Sequence, residues 1–264
     1  MRNLIVKYLR VILIIPQLFW GWIVFLVTNK TPASAYQSMI TFFCLTGGRS
    51  NDFLHGLLKH LYPPYVVRAP VGILGEMTPE NTRLAVSDLI EKGYHIFKEK
   101  LSEELCDKLL AFSLETEAVV RLTSDELKVG AKVKSMKLDR NNPQGIRYDF
   151  KESSVLACPE VQRIVSDRSI LSVAQGYLEC KPILDIVAMW WHTYSEKPDE
   201  EAAQYWHFDM DRIKWLKFFF YVTDVTPETG PHCFVSGSQK KGGIPSNLLK
   251  KGNSPGFTGN KRMF

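Results

Sequence analysis

Residues 204–209 read Gln-Tyr-Trp-His-Phe-Asp, residues 215–225 read Trp-Leu-Lys-Phe-Phe-Phe-Tyr-Val-Thr-Asp-Val, and residues 224–231 close with Asp-Val-Thr-Pro-Glu-Thr-Gly-Pro. The middle run is rich in aromatic and β-branched side chains and nearly unbroken in apolar character, which predicts a strand buried on both faces. Pro227, Gly230 and Pro231 end it, and Cys233 to Val235 then predict a return strand leading into Ser236-Gly237-Ser238-Gln239-Lys240. In a strand, alternate side chains share a face, so His207 and Asp209 are expected to project together. An imidazole and a carboxylate so placed make two thirds of a 2-His-1-carboxylate facial triad, the arrangement that holds non-haem Fe(II) and leaves positions open for substrate and oxygen.

At these residues the chain resembles the phytanoyl-CoA dioxygenase family of Fe(II)- and 2-oxoglutarate-dependent oxygenases. Their pattern is a His-x-Asp, a hydrophobic strand, an Asp-Val-Thr/Asp-x-x-x-Gly-Pro turn and a Pro-Gly-Ser-His-Lys segment. Here Ser236 and Gln239 stand where the pattern has Pro and His. The likeness extends upstream. Thr78-Pro79-Glu80 predicts a helix start and Gly93 its stop. Gly93 to Phe97 predicts a strand, and Leu101-Ser102-Glu103-Glu104-Leu105 opens an amphipathic helix through Leu109, Leu110 and Phe112. Helices are expected over Pro159 to Ser166 and Ile170 to Leu178, and a strand over Pro182 to Tyr194, followed by an acidic loop from Glu196 to Glu201. The resemblance covers roughly residues 80 to 240 and is most specific over 204–240.

The resemblance implies an α+β fold with a double-stranded β-helix (jelly-roll, cupin-like) core and flanking N-terminal helices. It implies Fe(II) held by His207 and Asp209, 2-oxoglutarate as cosubstrate, and Met189 and Phe219 lining the cosubstrate pocket. The chemistry it implies decarboxylates 2-oxoglutarate to succinate and CO₂ while a small-molecule substrate, not identified by the sequence, is hydroxylated. The family also uses a second histidine on a later strand and, beyond it, an arginine that grips 2-oxoglutarate. No histidine follows His232. Hairpin geometry puts His232 at the far end of the aromatic strand, ~33 Å from its start at ~3.3 Å per residue, and so reads it as a turn or surface residue. His55 and His60 fall in a Leu-rich helical stretch, His95 reads as a strand residue, and His192 precedes the motif on the strand before it. The simplest expectation is a domain incomplete at its C-terminus. Its rival is a short protein that has lost catalysis.

With 264 residues and 45% apolar content the chain can bury one sizeable core. The expected organisation is an apolar helical extension over residues 1–75 and one oxygenase-like domain over 76–264. The net charge of +5 is concentrated in Lys240, Lys241, Lys250, Lys251, Lys261 and Arg262, without which the rest stands at −1. That pattern fits a solvated tail better than nucleic-acid binding. Five cysteines without Cys-x-x-Cys spacing read as free thiols of a reducing compartment. This suits Fe(II) chemistry and points to the cytoplasm.

Residues 11–28 carry no charge, follow Arg2, Lys7 and Arg10, and hold Phe19, Trp20 and Trp22 near their middle. Eighteen residues reach the ~17 to 25 that span a bilayer, although Pro16 and Gln17 interrupt the run. Ala33-Ser34-Ala35 also resembles a signal cleavage site. Since export conflicts with the cofactors, the favoured expectation is a membrane-associated anchor or re-entrant helix with the domain on the cytoplasmic face. A buried or interfacial helix is the plainer alternative. At the level of function the competing class is a non-catalytic β-sandwich binding module with an incomplete iron site. A zinc hydrolase fits poorly, because two ligands without a nearby basic glutamate complete no zinc site.

Overall fold

The computed structural model describes residues 2–68, 70–193, 198–204, 209 and 212–240, with α1 described by its backbone alone up to residue 11. They fall into two compact units. One gathers residues up to 61 with 209, 212–215 and 236–240; the other gathers 62–204 and 216–235.

In the first unit, α1 (Arg2–Thr28) and α2 (Ala33–Thr46) form an antiparallel helical hairpin, followed by α3 (Arg49–Leu61). The turn is set by Asn29 at φ 54° and by Pro32, whose fixed φ of −60° precedes the first turn of α2. The helices touch closely at Gly21, where an added Cβ would stand 2.2 Å from that of Ala35. Gln17, which breaks the apolar pattern of α1, accepts a hydrogen bond from the buried Ser38 hydroxyl of α2. Gly47, left-handed at φ 60°, ends α2 and donates its N–H to the carbonyl of Phe43. The buried Asn51 of α3 donates from Nδ2 to the Ile213 carbonyl at 3.1 Å.

The second unit is mixed helix and antiparallel sheet. A short hairpin, β1 (Val71–Gly72) and β2 (Gly75–Glu76), leads to α4 (Pro79–Glu91) and α5 (Glu103–Glu115). β3 (Ala118–Arg121), α6 (Ser124–Lys128), β4 (Ser135–Met136), β5 (Arg147–Phe150), α7 (Glu152–Ala157), α8 (Pro159–Val165), α9 (Arg168–Leu178) and β6 (Trp190–His192) follow. The sheet order is β4-β3-β5-β6, all pairs antiparallel. Helix starts are fixed by local chemistry. The Thr78 hydroxyl accepts from the Asn81 N–H, the Ser102 hydroxyl from Leu105, and Asp167 from Ser169 and Ile170.

Strand alternation divides the sheet into two unlike faces. Ala118, Val120, Tyr148 and Phe150 are buried against Leu105 and Leu109 of α5, Val155 of α7, and Val161 and Ile164 of α8. Full burial of the valine, leucine, isoleucine and phenylalanine side chains among them contributes about 1.5–3 kcal/mol each. Leu74, Met77, Ala85, Leu89 and Val173 form a second cluster around α4 and α9. Arg121, Arg147 and Asp149, at the intervening positions, take the opposite face.

The helices expected around Thr78, Ser102, Pro159 and Ile170 are present, and Gly93, at φ 88°, follows the end of α4. The strands differ more. Among the described residues 93–97, 182–189, 215–225 and 233–235 have no ladder partner. The aromatic run is also not buried on both faces. Leu216, Phe218, Phe220 and Val222 pack into the two clusters, whereas Phe219 and Tyr221 are 45% and 49% exposed. It is an extended segment buried on one side only, and the aromatic residues on its open side conceal the two-residue period. His95, expected in a strand, instead pairs through Nδ1 with Asp88 at 2.8 Å. Among the described residues no helix is long and apolar enough to cross a membrane. All five cysteines are free.

Candidate functional site

The open face of the sheet carries the densest polar chemistry of the second unit. The register aligns Arg121 with Arg147 and Arg147 with His192, so a row of two arginines and a histidine crosses β3, β5 and β6. The adjacent row aligns Val119, Asp149 and Trp190. Asp149 joins the rows by accepting from Arg147 Nε at 2.5 Å and from Arg121 Nε at 2.7 Å. One carboxylate between two guanidinium groups leaves one positive charge in excess. The Arg147 guanidinium carbon lies 4.7 Å from the centre of the Trp190 ring, and the ring holds the cation by its π face. Among the described residues the terminal amino groups of Arg147 have no hydrogen-bond partner.

β5 is brought up to β3 by Gly145. A Cβ there would stand 2.5 Å from the backbone oxygen of Arg121 and 2.3 Å from Val120 Cγ1. Thr193 adds a hydrogen bond of 2.7 Å from its hydroxyl to the Gly145 carbonyl, which fixes the end of β6 beside the start of β5. A side chain at position 145 would therefore push the start of β5 away from β3 beside the basic row.

His192 is exposed by surface area but crowded by its neighbours, its ring 6.2 Å from that of Trp190. Burial first, and then the Arg147 and His232 charges, lower its pKa to about 4, with Asp149 opposing them. The imidazole is thus neutral at pH 7 and can accept a proton or a hydrogen bond. Phe219 meets Trp190 edge-on at 6.4 Å and lies 4.2 Å from the His232 ring, both distances between centroids. His232 is exposed, as its reading as a surface residue expects, yet it belongs to this aromatic group.

The residues singled out from the sequence do not all gather here. Phe219 lies on the open face, whereas Met189 packs against the buried cluster and its carbonyl accepts from the Phe150 N–H. Asp209 belongs to the first unit and is half-buried. His207 lies outside the described residues. Among the described residues no group of three or more His, Cys, Asp or Glu side chains gathers as a metal site. The sequence reading passed over Arg121, Asp149 and Trp190. The polar–apolar alternation over residues 147–150 was the available signal, but which residues of the neighbouring strands stand beside it depends on strand register.

An open concavity lined by Val67, Met77, Thr82 and Gln175 lies against α4 and α9. Glu76 is its one charged lining residue, and it holds none of the chemistry above. No family model, curated protein or solved structure matches this chain.

Proposed function

We propose that this chain is an Fe(II)- and 2-oxoglutarate-dependent oxygenase related to the phytanoyl-CoA dioxygenases, with a jelly-roll core, acting on a small organic molecule in the cytoplasm. The observation that carries the reading is the His207-Phe208-Asp209 spacing, followed by the aromatic segment and the Asp224 to Pro231 turn. The two-faced sheet supports it. Helices cover one side, and the other, free of helices among the described residues, is lined by Arg147, Trp190, His192 and Phe219, a two-faced sheet compatible with a jelly roll.

The donor set suits Fe(II), since an imidazole and a carboxylate are two of the three ligands of the facial triad. His207 and Asp209 would hold the metal. When bound, it supplies the oxygen chemistry that couples decarboxylation of 2-oxoglutarate to hydroxylation. In the second unit, taken by itself, the sheet offers a place for a carboxylate. Arg147 offers its terminal amino groups to a carboxylate, Asp149 and Trp190 fix its plane, and neutral His192 accepts a hydrogen bond beside it.

The test is anaerobic Fe(II) titration followed by measurement of succinate formed from 2-oxoglutarate in air. Asp209→Ala and His207→Ala are each expected to lower succinate formation by about 100-fold or more, as loss of a metal ligand does. A second reading is a non-catalytic binding module. Fe(II) uptake without any succinate would select it.

A further inference from the structure

The hairpin of α1 and α2 presents an apolar surface that its own unit does not cover. Leu13, Phe19, Trp20, Trp22, Phe25 and Val27 are between 44% and 79% exposed. At 3.6 residues per turn they spread over roughly 240° of the helix circumference. The remaining arc holds Ile14, Gln17 and Gly21, the side that meets α2. A helix that packs against a protein core needs an apolar stripe of about 100° or a little more, and a wider apolar surface calls for an enclosing medium.

The polar groups of the hairpin are arranged for such a medium. Between Val11 and Gly48 the only charged residue is Lys30, in the turn. The hydroxyls of Thr28, Thr41 and Thr46 donate to the helix carbonyls of Val24, Gln37 and Phe42, each at 2.8 Å. Ser38 donates to Gln17. These four side-chain hydrogen bonds are thus closed within the hairpin, as an apolar surrounding demands and water does not.

Length decides how the hairpin would sit. α2 has 14 residues, or ~21 Å at 1.5 Å each, against a hydrocarbon core of ~30 Å. A vertical hairpin would leave Arg49 and Asp52 of α3, or Lys30 at the tip, within the hydrocarbon, where a charge is costly. Lying along the surface avoids both, with the apolar arc ~5–10 Å below the headgroups and Lys30 among them. α3 continues this surface, since Phe53, Leu57 and Leu61 recur every four residues and are 73%, 51% and 60% exposed. The basic residues Arg2, Lys7 and Arg10 precede the apolar run in sequence and complement anionic lipid.

We propose that the α1–α2 hairpin seats the protein in one leaflet of a bilayer bearing anionic lipid, lying along the surface without crossing it. The proposal is independent of the chemistry of the sheet, for flotation reads the hairpin and succinate reads the oxygenase.

The test floats the full chain with sealed vesicles of phosphatidylcholine and phosphatidylserine, and with phosphatidylcholine alone. The expected result is co-flotation, stronger with phosphatidylserine, and a drop of at least about tenfold in the Phe19→Glu/Trp22→Glu variant, which places two charges at the apolar boundary. A second readout needs no variant. An impermeant amine reagent applied outside the vesicles should modify Lys30, as read by peptide mapping. Failure of the full chain to float, equal flotation of the folded variant, protection of Lys30, or burial of the surface in a dimer that ignores vesicles would each overturn the proposal.

Discussion

At the scale of single residues, the open sheet face depends on which charges share a neighbour. His192 is held low first by burial and then by the Arg147 charge. Replacing Arg147 with Met removes only the second cause, so the His192 pKa should rise from about 4 and stay below 6.5. Titration of the His192 Cε1–H signal by NMR measures this, and an unchanged value would show that Arg147 does not act on the ring. On the buried side, Tyr148 is 0% exposed and its hydroxyl accepts from the Gln144 N–H at 2.6 Å. Tyr148→Phe keeps the ring and removes the acceptor, so chemical denaturation should show a loss of about 1 kcal/mol. A loss well above that would mean the ring itself had moved.

At the scale of elements, the start of α9 ties helix to hairpin. One oxygen of Asp167 accepts from Ser169 and Ile170, and the other accepts from the Ile73 N–H at 3.0 Å. The Ser169 hydroxyl accepts from Leu74. Asp167→Ala therefore removes a helix cap and a tertiary anchor together, and should cost about 2 kcal/mol, the upper range for a cap. Amide exchange should rise at Ile73 and at the start of α9 together; exchange confined to α9 would refute the link. Such caps explain what was legible in the sequence. Thr78, Ser102 and Gly93 act on backbone groups a few residues away, so the helix limits could be read locally. The segment 215–225 could not, because its burial depends on which elements lie against each side. The row of Arg121, Arg147 and His192 was hidden for the same reason, since it exists only through register between strands. The His207–Asp209 pair was legible as spacing, which names donor types but not what stands opposite them.

At the scale of the whole molecule, ionisable groups make folding sensitive to acid from two sources. His192 has a folded pKa of about 4 against an ordinary 6.5. The unfolded chain then binds more protons between those values, so this contribution is full above 6.5 and declines as pH falls towards 4. The carboxylates act lower. Asp88 is held down by hydrogen bonds from Lys92 and His95, Glu104 by Lys108 and Glu115 by Lys137. Burial pushes Asp199 upward, but hydrogen bonds from Ser124 and Glu201 outweigh it. Their stabilisation is present above the ordinary values of 3.8 and 4.5 and is lost as pH falls through the folded ones. The thermal midpoint should therefore fall first from about pH 6.5 towards 4, and again below it. His192→Gln should remove the contribution of this imidazole to the upper decline while leaving the lower one, because no carboxylate named here depends on it. If scans between pH 7 and 3 showed the same upper slope in both proteins, the crowding of His192 on the open face would not be coupled to folding.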